Sequence, residues 1–289
     1  MCSSTRMVGA VQLTLTFLKD LSIINNKGVI KMSLNRNVVF ILIGILLLLI
    51  FLATNPFRQE GGSLRKVEGF DKVSIDTAGT VVLIQGDEEY VTIDAPKKIL
   101  RRIATKVKNR TLHIGYRGLL RRPKADTVYT VAIKDIQGLF TSSSGTIEAE
   151  HILTDDLEIG LSSSGNIDIH TLEAKNMSVH VGASGDLCIQ NGKIGSLRAR
   201  LSSSGDFIMA GESDSLDINI SSSGDFHGAA LHTSSAKAIA SSSGDAVLWV
   251  MDYLDAKLSS RGDISYYGKP ELGSISESSS GRIRALGDK

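Results

Sequence analysis

The sequence predicts an all-β protein whose main part is a parallel β-helix, a solenoid of about 20 residues per coil. Three observations lead to this fold class. A tetrapeptide SSSG recurs at a nearly constant interval, the residues between copies alternate between apolar and polar, and one copy is too short to bury a core alone. Such units are stable only when they stack on their neighbours.

A glycine marks each copy of the repeat. The eight copies place it at Gly145, Gly165, Gly185, Gly205, Gly224, Gly244, Gly262 and Gly281, at spacings of 18 to 20 residues. In residues 157–169 (LEIGLSSSGNIDI), odd positions are apolar or small, and even positions are polar or glycine. This period of two predicts strands with one buried face. A unit of about 20 residues fits one coil of a β-helix and is too short for a propeller blade.

The composition excludes several classes of protein. The chain has 289 residues and a net charge of +1, which argues against a protein that wraps nucleic acid. Its two cysteines cannot supply a disulfide framework or a four-thiolate zinc site. The sequence contains no Walker A, GxSxG or dinucleotide-binding motif. We therefore expect no cofactor and no nucleic-acid partner.

An uncharged apolar run occupies residues 38–53. A cleaved signal peptide and an uncleaved signal anchor both fit, and the length of the run favours a single-pass anchor that spans the bilayer over 38–56. Residues 1–37 would then be a cytoplasmic or disordered segment, with the true start at Met32, and residues 57–66 a linker. Basic residues flank the run equally on both sides, so charge alone does not set the orientation.

The domain that follows resembles a known bacterial family. Residues 70–87 (FDKVSID and GTVVLIQGD around two further residues), VTID at 91–94, TLHI at 111–114 and the repeated SSSGD coils are similar to the putative auto-transporter adhesin, head GIN domain family. The resemblance implies a right-handed parallel β-helix over 67–289, displayed outside the cytoplasm in the periplasm or extracellularly. It carries over no catalytic residue. Many relatives look like lipoproteins or cleaved exports, whereas this chain is expected to retain an anchor.

Stacked coils would align equivalent residues into vertical files. The first and third serines of each SSSG motif are expected to face outward and the middle serine inward. The glycines are expected to allow a bend at φ values that other residues avoid. We interpret the motif as the corner of the coil, and a ligand-binding serine face is the alternative.

An aspartate file follows the glycines. Its members are Asp186, Asp206, Asp225, Asp245 and Asp263. Carboxylates about 4.8 Å apart repel by roughly 0.9 kcal/mol in water and roughly 3.5 kcal/mol at an effective dielectric constant near 20. Backbone N–H groups at the turn would offset this repulsion, and a bound divalent cation or ligand is the alternative. The spacing does not match the calcium-binding nonapeptide repeat.

A strongly basic segment precedes the repeats. Ile99, Ile103 and Val107 recur every four residues after Pro96, which predicts a short basic amphipathic helix. The helix would cap the open end of the solenoid or contact anionic lipid, a glycan or another envelope polymer. The residues expected to make that contact are Lys97, Lys98, Arg101, Arg102, Arg121 and Arg122.

Three functional hypotheses follow. The first is a membrane-anchored, exported module for surface interaction, adhesive or scaffolding, without catalysis. The alternatives are a carbohydrate-active enzyme on a β-helix and a purely structural envelope protein. The tripeptide Arg261-Gly262-Asp263 is interpreted as a coincidence of the repeat, and the six histidines, which fall in different repeat phases, as solvated or turn residues. The sequence identifies no protein partner.

Overall fold

A computed structural model describes residues 62–117, 127–259, 261–278 and 280–288. Gln59–Lys289 form one compact unit with a continuous core. The strands and the single helical turn of the described residues are β1 (Ser63–Lys66), β2 (Lys72–Ile75), β3 (Thr80–Gln85), β4 (Tyr90–Asp94), α1 (Lys97–Leu100), β5 (Ile103–Lys108), β6 (Thr111–Tyr116), β7 (Val128–Ile133), β8 (Gly138–Thr141), β9 (Thr146–Leu161), β10 (Ile167–Val181), β11 (Leu187–Leu201), β12 (Phe207–Ile220), β13 (Phe226–Ala240), β14 (Ala246–Leu258), β15 (Ile264–Tyr267), β16 (Glu271–Glu277) and β17 (Ile283–Gly287).

The strands wind into a parallel β-solenoid of about seven turns, which confirms the predicted all-β class. From β9 to β14 each strand nearly fills one coil and pairs in parallel with the coil before and the coil after. Ile167 pairs with Ile147 on one side and with Leu187 on the other. Equivalent residues of successive repeats are therefore neighbours, and the SSSG segments share one corner of the coil as expected.

The inward-facing files form the core. One of them contains Ile147, Ile167, Leu187, Phe207, Phe226, Ala246 and Ile264, all at most 1% exposed. The rings of Phe207 and Phe226 lie 5.2 Å apart and are tilted by 59°. Apolar side chains at every second position give each coil one buried face, so the alternation in the sequence becomes a continuous hydrophobic column.

The N-terminal end of the solenoid is covered by further strands. β6 and β7 pair in parallel with β2 and β3 of the first coil. β5 and β4 then pair antiparallel to β6 and β7, and β1 pairs antiparallel to β4. Arg65 of β1 donates hydrogen bonds to the carbonyl oxygens of Leu100 and Ile103, so the outer strands are joined by side-chain contacts.

The prediction of a basic amphipathic helix is wrong. Only Lys97–Leu100 form a helical turn, and Ile103–Lys108 form strand β5 of a hairpin with β6. The two turn residues, Asn109 and Arg110, have φ values of 51° and 60°, as a tight type I′ hairpin turn requires. A four-residue spacing of apolar side chains fits a strand as well as a helix, and pairing with β6 decides in favour of the strand.

Several predictions fall on residues outside the described ranges. These are the segment 1–37, the anchor over 38–56, the first half of the linker 57–66, and the basic residues Arg121 and Arg122. Within the described part of the chain, no helix has the length and apolar character needed to span a membrane.

Candidate functional site

The corner of each coil is held by backbone hydrogen bonds between coils. In the middle of the solenoid, the N–H of Gly205 donates to the carbonyl of Ala183 at 2.8 Å, and the N–H of Gly224 donates to that of Ser203 at 2.8 Å. The first serine of the motif adds a side-chain bond: the Ser162 hydroxyl donates to the Thr141 carbonyl at 3.2 Å. The first and third serines are exposed in the described coils, whereas the middle position is buried or half-buried.

The glycines of the SSSG motifs are required because neighbouring coils approach closely at this position. The expectation that they adopt unusual φ values is wrong. The file glycines do not have the positive φ found at Gly79 or Gly211. A Cβ built on Gly185 would lie 2.0 Å from the carbonyl oxygen of Gly165, and one on Gly205 would lie 2.1 Å from that of Gly185. Any side chain at this position would therefore push neighbouring coils apart.

The aspartates form a hydrogen-bonded ladder along the corner. The Oδ1 atom of Asp186 accepts a bond from the backbone N–H of Asp206 at 3.0 Å, and Oδ1 of Asp206 accepts one from the N–H of Asp225 at 2.9 Å. The ladder continues through Asp245 and Asp263. Below it, the amide oxygen of Asn166 accepts from the N–H of Asp186 in the same way. We call these five aspartates the Asp file, and their backbone donors offset part of the mutual repulsion.

The second oxygens of the Asp file have different surroundings. Oδ2 of Asp263 lies 3.3 Å from the guanidinium of Arg284, and Oδ2 of Asp206 lies 4.0 Å from Nε2 of His227. Asp263 therefore uses both oxygens within the corner, and Gly262 beside it is buried. The RGD tripeptide thus lies at a corner of the solenoid, with Arg261 exposed and Gly262 buried.

A second outward file, two residues after the Asp file, also carries acids at its N-terminal end. Glu148 pairs with Asp168 in the parallel register. Partial burial raises the pKa of Glu148, and the charge of Asp168 raises it further. Burial raises the pKa of Asp168 as well, with a contribution from Asp186. These carboxyl groups hold protons more tightly in the folded chain than in the unfolded chain.

This pair predicts a pH effect on stability. Because the folded state binds the protons more tightly, the pair favours folding most at low pH, and this contribution is lost as pH rises through the raised pKa values. We expect Asp168→Asn to be more stable than the native chain at about pH 7 and equal to it near pH 4. Urea denaturation at both pH values measures this, and a variant less stable at neutral pH would contradict it.

The structure also forms a groove that sequence reasoning missed. It lies across the middle strands, away from the corner, and its charged residues are all exposed. Those residues are Asp155, Glu173, Lys175, Lys193, Glu212, Asp214 and His232, and we call them the acid–base groove. They fall in two repeat phases, one with Glu173, Lys193, Glu212 and His232 and one with Asp155, Lys175 and Asp214. The recurrence of charged residues at intervals of about one coil is the signal in the sequence that could have revealed them.

Parallel pairing sets the order of charges in the acid–base groove. Glu173 is in register with Lys193, Lys193 with Glu212, and Glu212 with His232. The His232 ring packs on Trp249 with centroids 4.1 Å apart, so the file ends on an aromatic side chain. Beside it, Lys175 and Asp155 form an ion pair of 2.8 Å. The groove thus offers hydrogen-bond donors and acceptors repeated once per coil, next to an aromatic ring.

The four predicted basic residues that the structure describes lie at the N-terminal end, far in sequence from the Asp file and the acid–base groove. Lys97, Lys98, Arg101 and Arg102, here called the basic patch, are all exposed. The carbonyl of Leu100 within the patch binds Arg65 of β1, so the patch lies beside the first strand of the domain. The described residues therefore offer three candidate surfaces: the Asp file, the acid–base groove and the basic patch.

Comparisons with known proteins agree with this architecture. The family described as putative auto-transporter adhesin, head GIN domain matches residues 69–270. A putative lipid binding protein from Parabacteroides distasonis ATCC 8503 is 21% identical, with a TM-score of 0.72 over 79% of this chain and 98% of that chain. A putative adhesin from Parabacteroides merdae ATCC 43184 is 16% identical, with a TM-score of 0.71 over 79% and 97%.

A putative adhesin from Bacteroides fragilis NCTC 9343 is 22% identical, with a TM-score of 0.60 over 78% of this chain and 96% of that chain. At these identities the likeness shows a shared fold. The comparison with curated proteins gives no match.

Proposed function

This chain belongs to the putative auto-transporter adhesin, head GIN domain family, and on that premise we propose that it is an exported surface-interaction module that binds glycans along the acid–base groove. In this proposal the right-handed solenoid is held at the membrane by residues 38–56. The observation that carries it is the file Glu173, Lys193, Glu212 and His232, which continues onto Trp249.

The chemistry of the groove suits a sugar polymer. Carboxylates and ammonium groups one coil apart supply acceptors and donors for hydroxyl groups, and an aromatic face packs against the apolar side of a sugar ring. The coils are about 4.8 Å apart, so Glu173, Lys193, Glu212 and His232 present polar groups at four successive coils. An extended partner can therefore make several contacts at once along the solenoid, which raises avidity.

A glycan array with the Gln59–Lys289 unit tests the proposal. The groove variant carries the two substitutions Lys193→Ala and Glu212→Ala. The control variant carries Lys237→Ala and Glu150→Ala, which remove two exposed charges outside the groove. We expect binding to a defined group of glycans, a loss of about tenfold or more in the groove variant, and no loss in the control. No binding to any glycan, or equal binding by all three proteins, would refute the groove proposal. Release of new reducing ends during the assay would instead support the enzyme alternative.

The basic patch supports a second interaction, with anionic lipid. Its four exposed residues flank Leu100, whose carbonyl oxygen accepts a hydrogen bond from Arg65 of β1, and β1 begins at Ser63, after the apolar run 38–53. The related putative lipid binding protein has the same fold. Each basic side chain near an anionic membrane surface contributes about 1 kcal/mol to the free energy of membrane binding. This contribution favours an orientation in which the basic patch faces the lipid headgroups.

Vesicle cosedimentation tests this contact. We expect the Gln59–Lys289 unit to bind vesicles that contain phosphatidylglycerol, and the charge reversal of Lys97, Lys98, Arg101 and Arg102 to glutamate to weaken binding by about a thousandfold. Added salt should weaken it too. The control reverses four exposed basic residues elsewhere on the solenoid, Arg198, Arg200, Lys237 and Lys257. Equal binding to pure phosphatidylcholine, or equal losses in both variants, would refute the contact.

A further inference from the structure

His227 joins the Asp file at one point along the solenoid. It is two residues after Asp225, and its file partners in the adjacent coils are Ile208 and Val247. One ligand atom each from Asp206, Asp225 and His227 lies within 4.8 Å of the other two. We propose that these three side chains form a binding site for a divalent transition-metal ion such as Zn²⁺.

The ladder leaves the required atoms available. Asp206 and Asp225 each use Oδ1 to accept a backbone N–H, from Asp225 at 2.9 Å and from Asp245 at 2.7 Å. Oδ2 of Asp206 lies 4.0 Å from Nε2 of His227. Ligand atoms around a tetrahedral zinc ion are about 3.3 Å apart, so the groups close on an ion by small side-chain rotations. The backbone bonds to Oδ1 of both aspartates can persist during these rotations.

The ligand set selects the class of ion. Calcium and magnesium take oxygen ligands, whereas imidazole nitrogen with carboxylates suits zinc and similar transition-metal ions. Three protein ligands leave a fourth position for water or a group from a partner. The ion would also neutralise the negative charges of Asp206 and Asp225, which lie one coil apart. The ladder offsets their repulsion only through the hydrogen bonds to Oδ1. The side chains of His227 and Asp206 are 47% and 38% exposed, so the site is open to solvent.

Calorimetric titration of the Gln59–Lys289 unit with zinc chloride tests the site. We expect one zinc ion per chain, and an affinity about tenfold or more weaker in His227→Ala. Asp206→Asn should weaken zinc binding as strongly while keeping the fold, because Asn166 already serves as a ladder acceptor. The matched control is His180→Ala, which removes another exposed histidine and should leave the affinity within about twofold.

Each other outcome overturns the proposal. No zinc binding at millimolar concentration removes the site, and equal affinity in the native chain and His227→Ala removes the role of the imidazole. Displacement of zinc by millimolar calcium would indicate an oxygen-only site along the Asp file instead. Because the acid–base groove uses other residues, the failure of glycan binding would not affect the zinc result, and the reverse also holds.

Discussion

Replacement of Gly205 by alanine is expected to destabilise the solenoid by about 3 kcal/mol or more. The new Cβ would lie 2.1 Å from the carbonyl oxygen of Gly185, 2.8 Å from that of Ala183 and 2.9 Å from Cγ1 of Val181. Two of these atoms belong to the backbone of the preceding coil, which cannot move without breaking its own hydrogen bonds. Separation of the coils would weaken the bonds on both sides, because each coil is stabilised mainly by its neighbours.

Gly182→Ala is the matched control for this substitution. Gly182 is exposed and occupies a position that is serine in the other coils, and the nearest atom to a new Cβ is Nε2 of the His180 side chain at 3.0 Å. We expect its effect to stay within about 0.5 kcal/mol. Urea denaturation followed by circular dichroism measures both variants. If Gly205→Ala unfolds at the same urea concentration as Gly182→Ala, close approach of the coils is not the reason for the glycine file.

Truncation of Phe226 to alanine should cost about 3–5 kcal/mol, the other large effect that we predict. Phe226 is fully buried and packs on Phe207 with ring centroids 5.2 Å apart. The file narrows to Ala246 in the next coil, so on that side no large side chain is available to fill the cavity. Two effects lower the free energy of unfolding: the buried area of an aromatic ring is lost, and a cavity remains in a closely packed column.

Two further variants separate cavity formation from general disruption. Phe226→Leu keeps most of the volume and should cost less than about 1.5 kcal/mol. Gly228→Ala places a Cβ 2.5 Å from the Phe226 ring, so it should destabilise the native chain more than it destabilises Phe226→Ala. Chemical denaturation of the four proteins completes the double-mutant cycle. Additive costs for Phe226→Ala and Gly228→Ala would show that the ring does not constrain this part of the coil.

The repeat made the architecture predictable, and the reason is local. The alternation in residues 157–169 and the constant spacing of the glycines set the buried face and the coil length, and both agree with the parallel register of β9 to β14. The expectation that backbone N–H groups offset the charge of the aspartates agrees with the ladder from Asp186 to Arg282. Each of these inferences needs only the repeated sequence and the rule that repeats stack.

The N-terminal end was harder to predict because it does not repeat. Residues 103–108 (IATKVK) alternate as a strand, yet Ile99, Ile103 and Val107 also fit a helical period. Four residues are two strand periods and nearly one helical turn, so the pattern alone does not discriminate. The pairing of β5 with β6 across the Asn109-Arg110 turn selects the strand. This pairing depends on tertiary structure, because β6 is itself placed by its pairing with β2 of the first coil.

The sequence by itself determined the coil length, the buried face and the files of serine, glycine and aspartate, because alternation and repeat spacing are properties of the chain read in order. Only the tertiary structure decided which residues of different coils meet. His227 approaches Asp206, and Glu212 lies beside Lys193, because stacking brings together residues 19 to 21 positions apart. It also showed that the glycines are needed for the distance between coils and not for their φ values, since that distance arises only when one coil lies on another.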